Sequence, residues 1–168
     1  MTRFRILLFA AALSGSTLVA AGPVLGATAN TTFHVGVTVP SSCSLTASDL
    51  SFPDTTANPS AAVDASSTIN VTCTLTTAYA VSLDAGTATG ATITGRKMSN
   101  GANTVSYALY STAARTTIWG DGTLSTVTVS GTGNGAAQPL TVYGRIPSAQ
   151  TNLAAGHAQD TITATVTY

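Results

Sequence analysis

Side chains able to carry chemistry are few in this chain. Its 168 residues include two histidines, His34 and His157, six aspartates and no glutamate. The two histidines lie far apart in sequence and neither has the spacing of a metal pair. His34 falls on the outward side of an alternating segment, and His157 sits in a Gly-Ala turn. A Ser-His-Asp relay can be assembled on paper from any serine-rich chain, but the G-x-S-x-G elbow does not occur. A two-carboxylate glycosidase would have to draw both groups from the aspartates. Of these, Asp49, Asp54, Asp84 and Asp121 read as turn formers, and Asp160 opens the last strand. Gly131-Thr132-Gly133-Asn134-Gly135 looks like a phosphate loop, yet Ala136 to Pro139 return directly to a strand. Without a helix N-terminus there is no anion site of that type, and the segment reads as a flexible hairpin loop. Trp119 with Tyr107, Tyr110 and Tyr143 suggests a sugar platform, against the simpler reading of core and corner aromatics. Arg96-Lys97 and Arg115 read as solvated turn charges. The expectation is a protein that is not an enzyme, with no cofactor and no metal.

The two cysteines, Cys43 and Cys73, are better placed for structure than for catalysis. Arg3 and Arg5 precede the apolar run Ile6 to Leu13, and Ala27-Thr28-Ala29 offers a cleavage site. This is the layout of a secretory signal peptide over residues 1–29, with Ala21 as the alternative cut. The run is too short for a membrane span, which needs roughly 20 residues. Secretion implies an oxidising compartment, where an even cysteine pair reads as one disulfide. A metal site is the rival reading, but no cysteine or histidine stands near enough to complete one.

Cleavage would leave 139 residues, the size of one domain. Four basic residues and six aspartates remain in that portion, a weakly acidic balance with no basic patch. Nucleic acid is therefore not expected as a partner. Thr, Val, Ser, Ala and Gly dominate, a composition that favours strands and turns.

Alternation with period two recurs along the chain, whereas helical periodicity is nearly absent. It is visible at Phe33, Val35, Val37 and Val39; at Ile69, Val71 and Cys73; and at Tyr79, Val81 and Leu83. Val105, Tyr107 and Leu109 repeat it, as do Val127 and Val129, Leu140 to Ile146, and Ile162, Ala164, Val166 and Tyr168. Gly- and Asn-rich turns separate these runs, and Pro40, Pro53, Pro59, Pro139 and Pro147 sit at run ends or in loops. Residues 54–66, poor in large apolar side chains, read as a loop. Short strands with regular turns predict an all-β class, and strands with one apolar face each predict a two-sheet sandwich. The first strand, within residues 30–40, must bury four inward-type residues. It can do so in its own sheet or by adding to another molecule.

Several motifs carry a family resemblance. Cys43 closely follows the first strand, and Val71-Thr72-Cys73 ends another. Tyr107-Ala108-Leu109-Tyr110 leads through a polar turn to Ala114-Arg115-Thr116, and Trp119-Gly120-Asp121-Gly122 follows. Leu140 to Pro147 and Gly156 to Thr161 complete the series. In order and spacing these resemble the spore coat protein U domain family, which includes subunits of archaic chaperone–usher pili. The match runs over about residues 31–168, with His157 where the family usually has Tyr and Phe52-Pro53 where Phe-Gly is common.

The resemblance implies an immunoglobulin-like antiparallel sandwich that lacks its last strand and is completed by a donor strand. Phe33, Val35, Val37 and Val39 would be the donor residues, and residues 41–168 the pilin domain. Ile162, Ala164, Val166 and Tyr168 would border the acceptor groove. The implied partners are a periplasmic chaperone, an outer-membrane usher and neighbouring pilin subunits. The implied role is structural, in a surface pilus that supports attachment and biofilm formation. A secreted coat protein that completes its own fold and a carbohydrate-binding adhesin built on Trp119 are the alternatives.

Overall fold

A computed structural model describes Gly22, residues 26–151 and residues 153–168. The signal-peptide reading falls almost wholly on residues outside that description. Eight strands form: β1 Cys43–Ala47, β2 Val63–Cys73, β3 Ala78–Leu83, β4 Arg96–Asn100, β5 Asn103–Tyr110, β6 Val129–Thr132, β7 Ala137–Ile146 and β8 Ala164–Thr167. They make a five-stranded sheet in the order β1-β2-β7-β5-β4 and a three-stranded sheet in the order β6-β3-β8. Every ladder between these strands is antiparallel. No helix occurs among the described residues.

Alternation decides what faces inward. Ile69, Val71 and Cys73 of β2, Tyr79, Val81 and Leu83 of β3, Tyr107 and Leu109 of β5, and Val142 and Ile146 of β7 are all buried in one core. Residues alternating with them face outward, as a pleat of period two requires, and Gly144, between Val142 and Ile146, shares their inward face. Cys43 and Cys73 stand opposite each other in the β1–β2 ladder and form the disulfide. Their bond ties the start of the domain to the end of its longest strand.

Several segments differ from the sequence reading, each for a physical reason. Residues 63–66 belong to β2 and not to a loop, because Asp64 to Ser66 ladder with Tyr143 to Arg145 although they are small or polar. Asp64 gains a two-pronged ion pair with its cross-strand partner, Arg145, at 2.7 and 2.8 Å. Gly133 to Ala136 do not form a free hairpin loop. They carry the chain from β6 in one sheet to β7 in the other. Gly133 donates to the Thr77 carbonyl at 2.7 Å and Gly135 to the Cys73 carbonyl at 3.1 Å. A side chain at Gly133 would run into the Thr74 carbonyl. Val127 lies ahead of β6, bonded through its N–H to the Ile118 carbonyl at 3.0 Å. Residues 31–42, including the alternating Phe33 to Val39, form no strand in the single chain, since a strand exists only with an edge to pair with.

Arg96 and Arg115 are not solvated turn charges. Arg96 opens β4 and is completely buried. Its guanidinium donates to the carbonyls of Asp84 at 2.8 Å, Trp119 at 2.9 Å and Leu83 at 3.3 Å. Burial pushes its pKa down, opposed by the nearby Tyr107, Asp84, Asp160 and Asp121. Arg115 lies within 3.3 Å of Asp64 and 5.6 Å from the centre of the Tyr143 ring.

Candidate functional site: an open groove between the sheets

β1 lies against β8 near the disulfide and closes the sandwich there. Beyond Ala47 no strand continues, and residues 48–62 run on without a ladder partner. A groove of about 950 Å³ opens in that gap. Its floor is the underside of the core: Ile69, Leu83, Leu109, Val142 and Ile146. One wall is built by Leu50 and Phe52, and the other by Ile162 and Ala164. Met98, Val105 and Tyr107 also line it.

Backbone geometry at β8 defines the groove's second property. In an antiparallel ladder, alternate residues turn their N–H and C=O toward opposite neighbours. Asp84 donates to the Thr163 carbonyl at 3.1 Å, so Thr163, Thr165 and Thr167 address β3. Ile162, Ala164 and Val166 consequently direct their backbone groups to the other side, where the three-stranded sheet ends. The same residues turn partly buried side chains inward against the core. Ile162 and Ala164 line the groove, Val166 packs on the core beside it, and Tyr168 is largely exposed. An unpaired row of donors and acceptors beside apolar side chains is a template for another strand.

One end of the groove is fixed by a polar node. Asp160 accepts from the Tyr107 hydroxyl at 2.7 Å, from the Thr87 N–H at 2.8 Å and hydroxyl at 3.1 Å, and from the Thr161 N–H at 2.8 Å. Burial alone would raise its pKa. The hydrogen bonds from Tyr107, Thr87 and Thr161 outweigh that and hold the carboxyl below its usual range. Burial and the adjacent Asp160 push the Tyr107 phenol far up, so it stays a donor. The adjoining Asp84 carboxylate accepts from the Gly86 and Thr163 N–H groups, both at 3.0 Å. These bonds position the start of β8, and they are structural in character.

The wall opposite depends on a glycine. Gly144 of β7 faces Leu50 and Phe52, and a Cβ there would stand 2.8 Å from the Phe52 ring and 3.0 Å from Leu50. Phe52 meets Tyr107 edge-on with ring centroids 6.3 Å apart.

The remaining candidates are distributed elsewhere. Trp119 is completely buried and donates its indole N–H to the Val81 carbonyl at 2.9 Å, so it cannot serve as a sugar platform. His34 is exposed; His157, also exposed, lies at the groove. No group of three metal-ligating side chains is present among the described residues. Phe33, Val35, Val37 and Val39 are 82, 86, 89 and 74 % exposed, a concentration of apolar surface that a folded chain rarely leaves in water. Sequence reasoning missed Leu50, Phe52 and Met98, which fall in no clear alternating run. It also missed the Tyr107–Asp160 bond, which joins residues 53 apart in the chain.

The fold has a solved counterpart. It is similar to a chain in the crystal structure of the CsuC–CsuE chaperone–tip adhesion subunit pre-assembly complex from archaic chaperone–usher Csu pili of Acinetobacter baumannii. The TM-score is 0.56 at 22 % identity, over 78 % of this chain and 40 % of that one. The present chain thus spans well under half the length of that relative. No curated protein matches it. The profile of the Spore Coat Protein U domain matches residues 29–165, and the chain belongs to that family.

Proposed function

We propose that this protein is a pilus subunit, secreted through the periplasm to the cell surface and polymerised by donor-strand exchange. The observation that carries the reading is the apolar groove flanked by the unpaired edge of β8. Buried apolar side chains and open backbone groups are both costly to leave in water, and one added strand covers both. The chain carries a fitting strand. Phe33 to Val39 and Ile162 to Tyr168 are segments of equal length, each with four positions of one facing. Seating Phe33, Val35, Val37 and Val39 would contribute roughly 6–10 kcal/mol, partly offset by ordering the segment. A coat protein that fills its groove with its own extension is the alternative reading. Because the donor segment and the groove are different surfaces, each contact is heterologous and the product is a filament.

In this reading a periplasmic chaperone covers the groove first. An outer-membrane usher then exchanges the chaperone's strand for the next subunit's residues 30–40. The assembled pilus supports attachment and biofilm formation. The chaperone and usher are inferred from the company of the solved relative, a chaperone–subunit complex of a chaperone–usher pilus. The test compares purified chains covering residues 30–168 by size-exclusion chromatography with light scattering. The parent should form a ladder of head-to-tail multimers, and Val37→Asp should remain monomeric. A parent that is strictly monomeric at all concentrations removes the donor-strand reading.

A further inference from the structure

Two large apolar side chains stand out at opposite ends of β3. Leu75, in the turn between β2 and β3, is 69 % exposed, and Leu124, in the loop before β6, is 72 % exposed. Neither tip is loose. In the Leu75 turn, Thr76 donates to the Gly133 carbonyl at 2.9 Å, and the Thr74 and Thr77 hydroxyls lie 2.6 Å apart. An open cleft of about 430 Å³, lined by Val39, Ser41 and the 74–77 turn, lies beside Leu75. In the other loop, Asp121 accepts from the Thr123 N–H at 2.9 Å and hydroxyl at 2.6 Å, and the Thr126 hydroxyl donates to the Thr123 carbonyl at 2.7 Å. Leu124 and Ser125 take consecutive left-handed conformations, with φ of 49° and 62°. Residues other than glycine seldom adopt that geometry, and here it holds a leucine out in water.

The position of the two tips follows from β3. It starts beside the Leu75 turn and ends at Leu83, whose N–H donates to the Gly120 carbonyl at 3.1 Å. A strand of this length separates the two ends by about 20 Å. The Leu75 end is also where the N-terminal extension joins the domain. Thr74 donates to the Ser42 carbonyl at 2.9 Å and Ser42 to the Thr74 hydroxyl at 3.2 Å, next to the Cys43–Cys73 bond.

The donor-strand reading, on which this inference rests, then constrains how two bodies meet. If Val39 is the last seated residue, only Pro40 and Ser41 separate it from the anchored Ser42. Three Cα steps reach at most about 11 Å, so the donating body is drawn against its acceptor. A strand added antiparallel to β8, like every other ladder here, puts Val39 at the Asp160 end of the groove, the end that carries the Leu124 loop. The opposite polarity would crowd the donating body onto the end from which the acceptor's own extension leaves. We infer that Leu75 of the donating subunit packs against the Leu124 loop of the accepting subunit, a second copy of this chain. The contact joins opposite ends of identical molecules and therefore repeats along a filament.

Charge-swap variants in the chain of residues 30–168 test this, with head-to-tail multimer lifetime followed by light scattering after dilution. Capture of a synthetic peptide of residues 30–40 is measured alongside. Leu75→Lys alone and Leu124→Asp alone should each shorten multimer lifetime about tenfold. The double variant should recover most of the loss, and peptide capture and monomer melting should stay at parent values in all three. Unchanged lifetimes with normal peptide capture, or losses that simply add in the double variant, overturn the Leu75–Leu124 contact alone. If the parent groove fails to capture the peptide, the donor-strand reading falls and this contact falls with it.

Discussion

Replacing Arg96 by Met should cost the domain about 3 kcal/mol. The guanidinium is fully buried and holds three backbone carbonyls, those of Asp84 and Trp119 at 2.8 and 2.9 Å and that of Leu83 at a weaker 3.3 Å. Met keeps most of the aliphatic packing but supplies no donor. Two well-bonded carbonyls are left unpaired at about 1–3 kcal/mol each. Against this, Met spares the protein the desolvation of a buried charge, which is considerable here because Nη1 has no partner. The net of about 3 kcal/mol corresponds to a fall of about 10 °C in melting temperature for a domain of this size. Arg96→Lys should fall between the two, since one ammonium cannot span three acceptors in a fixed fork. Circular dichroism during urea and thermal unfolding measures both variants. Arg96 joins β4 of the large sheet to the end of β3 in the small one, so peptide capture by the groove should weaken in parallel. A Met variant within 1 kcal/mol of the parent would refute the view that this arginine clamps the sheets together.

Other outcomes follow from the same structure. Asp160 has a folded pKa below its unfolded value, so its stabilisation is full above the unfolded pKa of about 3.9 and fades as pH falls through the folded one. Asp160→Asn should therefore be less stable than the parent at pH 7, with the gap narrowing below about pH 4 in urea titrations; a gap that widens on acidification contradicts this. Converting both Cys43 and Cys73 to Ser should destabilise the domain by about 3.5 kcal/mol on the chain-entropy view, readable as a shift of the urea midpoint. Gly144→Ala should displace Leu50 and Phe52, lowering peptide affinity more than global stability, as calorimetry against a melting curve would reveal.

Much of the fold was legible because burial in a sandwich is written as period two. Ile69-Val71-Cys73, Tyr79-Val81-Leu83 and Tyr107-Leu109 alternate in sequence and are buried in the structure. What escaped the pattern was set by long-range geometry. Residues 63–66 carry a single large apolar side chain, Val63, too little to show alternation, and they become strand because β7 lies beside them. Arg96 looks like a surface charge in any local window, and only the convergence of the Leu83, Asp84 and Trp119 carbonyls gives it a buried place. Leu50 and Phe52 flank a stretch of turn-like residues and reach the groove because Gly144 leaves room for them. The border residues Ile162 and Ala164 were readable as alternation, but the free direction of their backbone groups emerges only from the register of β8 on β3.

The central claim is that residues 30–40 of one copy fill the groove of another. It is tested most directly by removing that segment and supplying it as a separate peptide. A chain of residues 41–168 should melt at a low temperature by itself, and the 30–40 peptide should raise that temperature strongly. The same peptide carrying Val37→Asp should raise it little, because a carboxylate would replace a buried valine. A truncated chain already as stable as the 30–168 chain, and indifferent to the peptide, would contradict the account and leave a self-complete surface protein in its place.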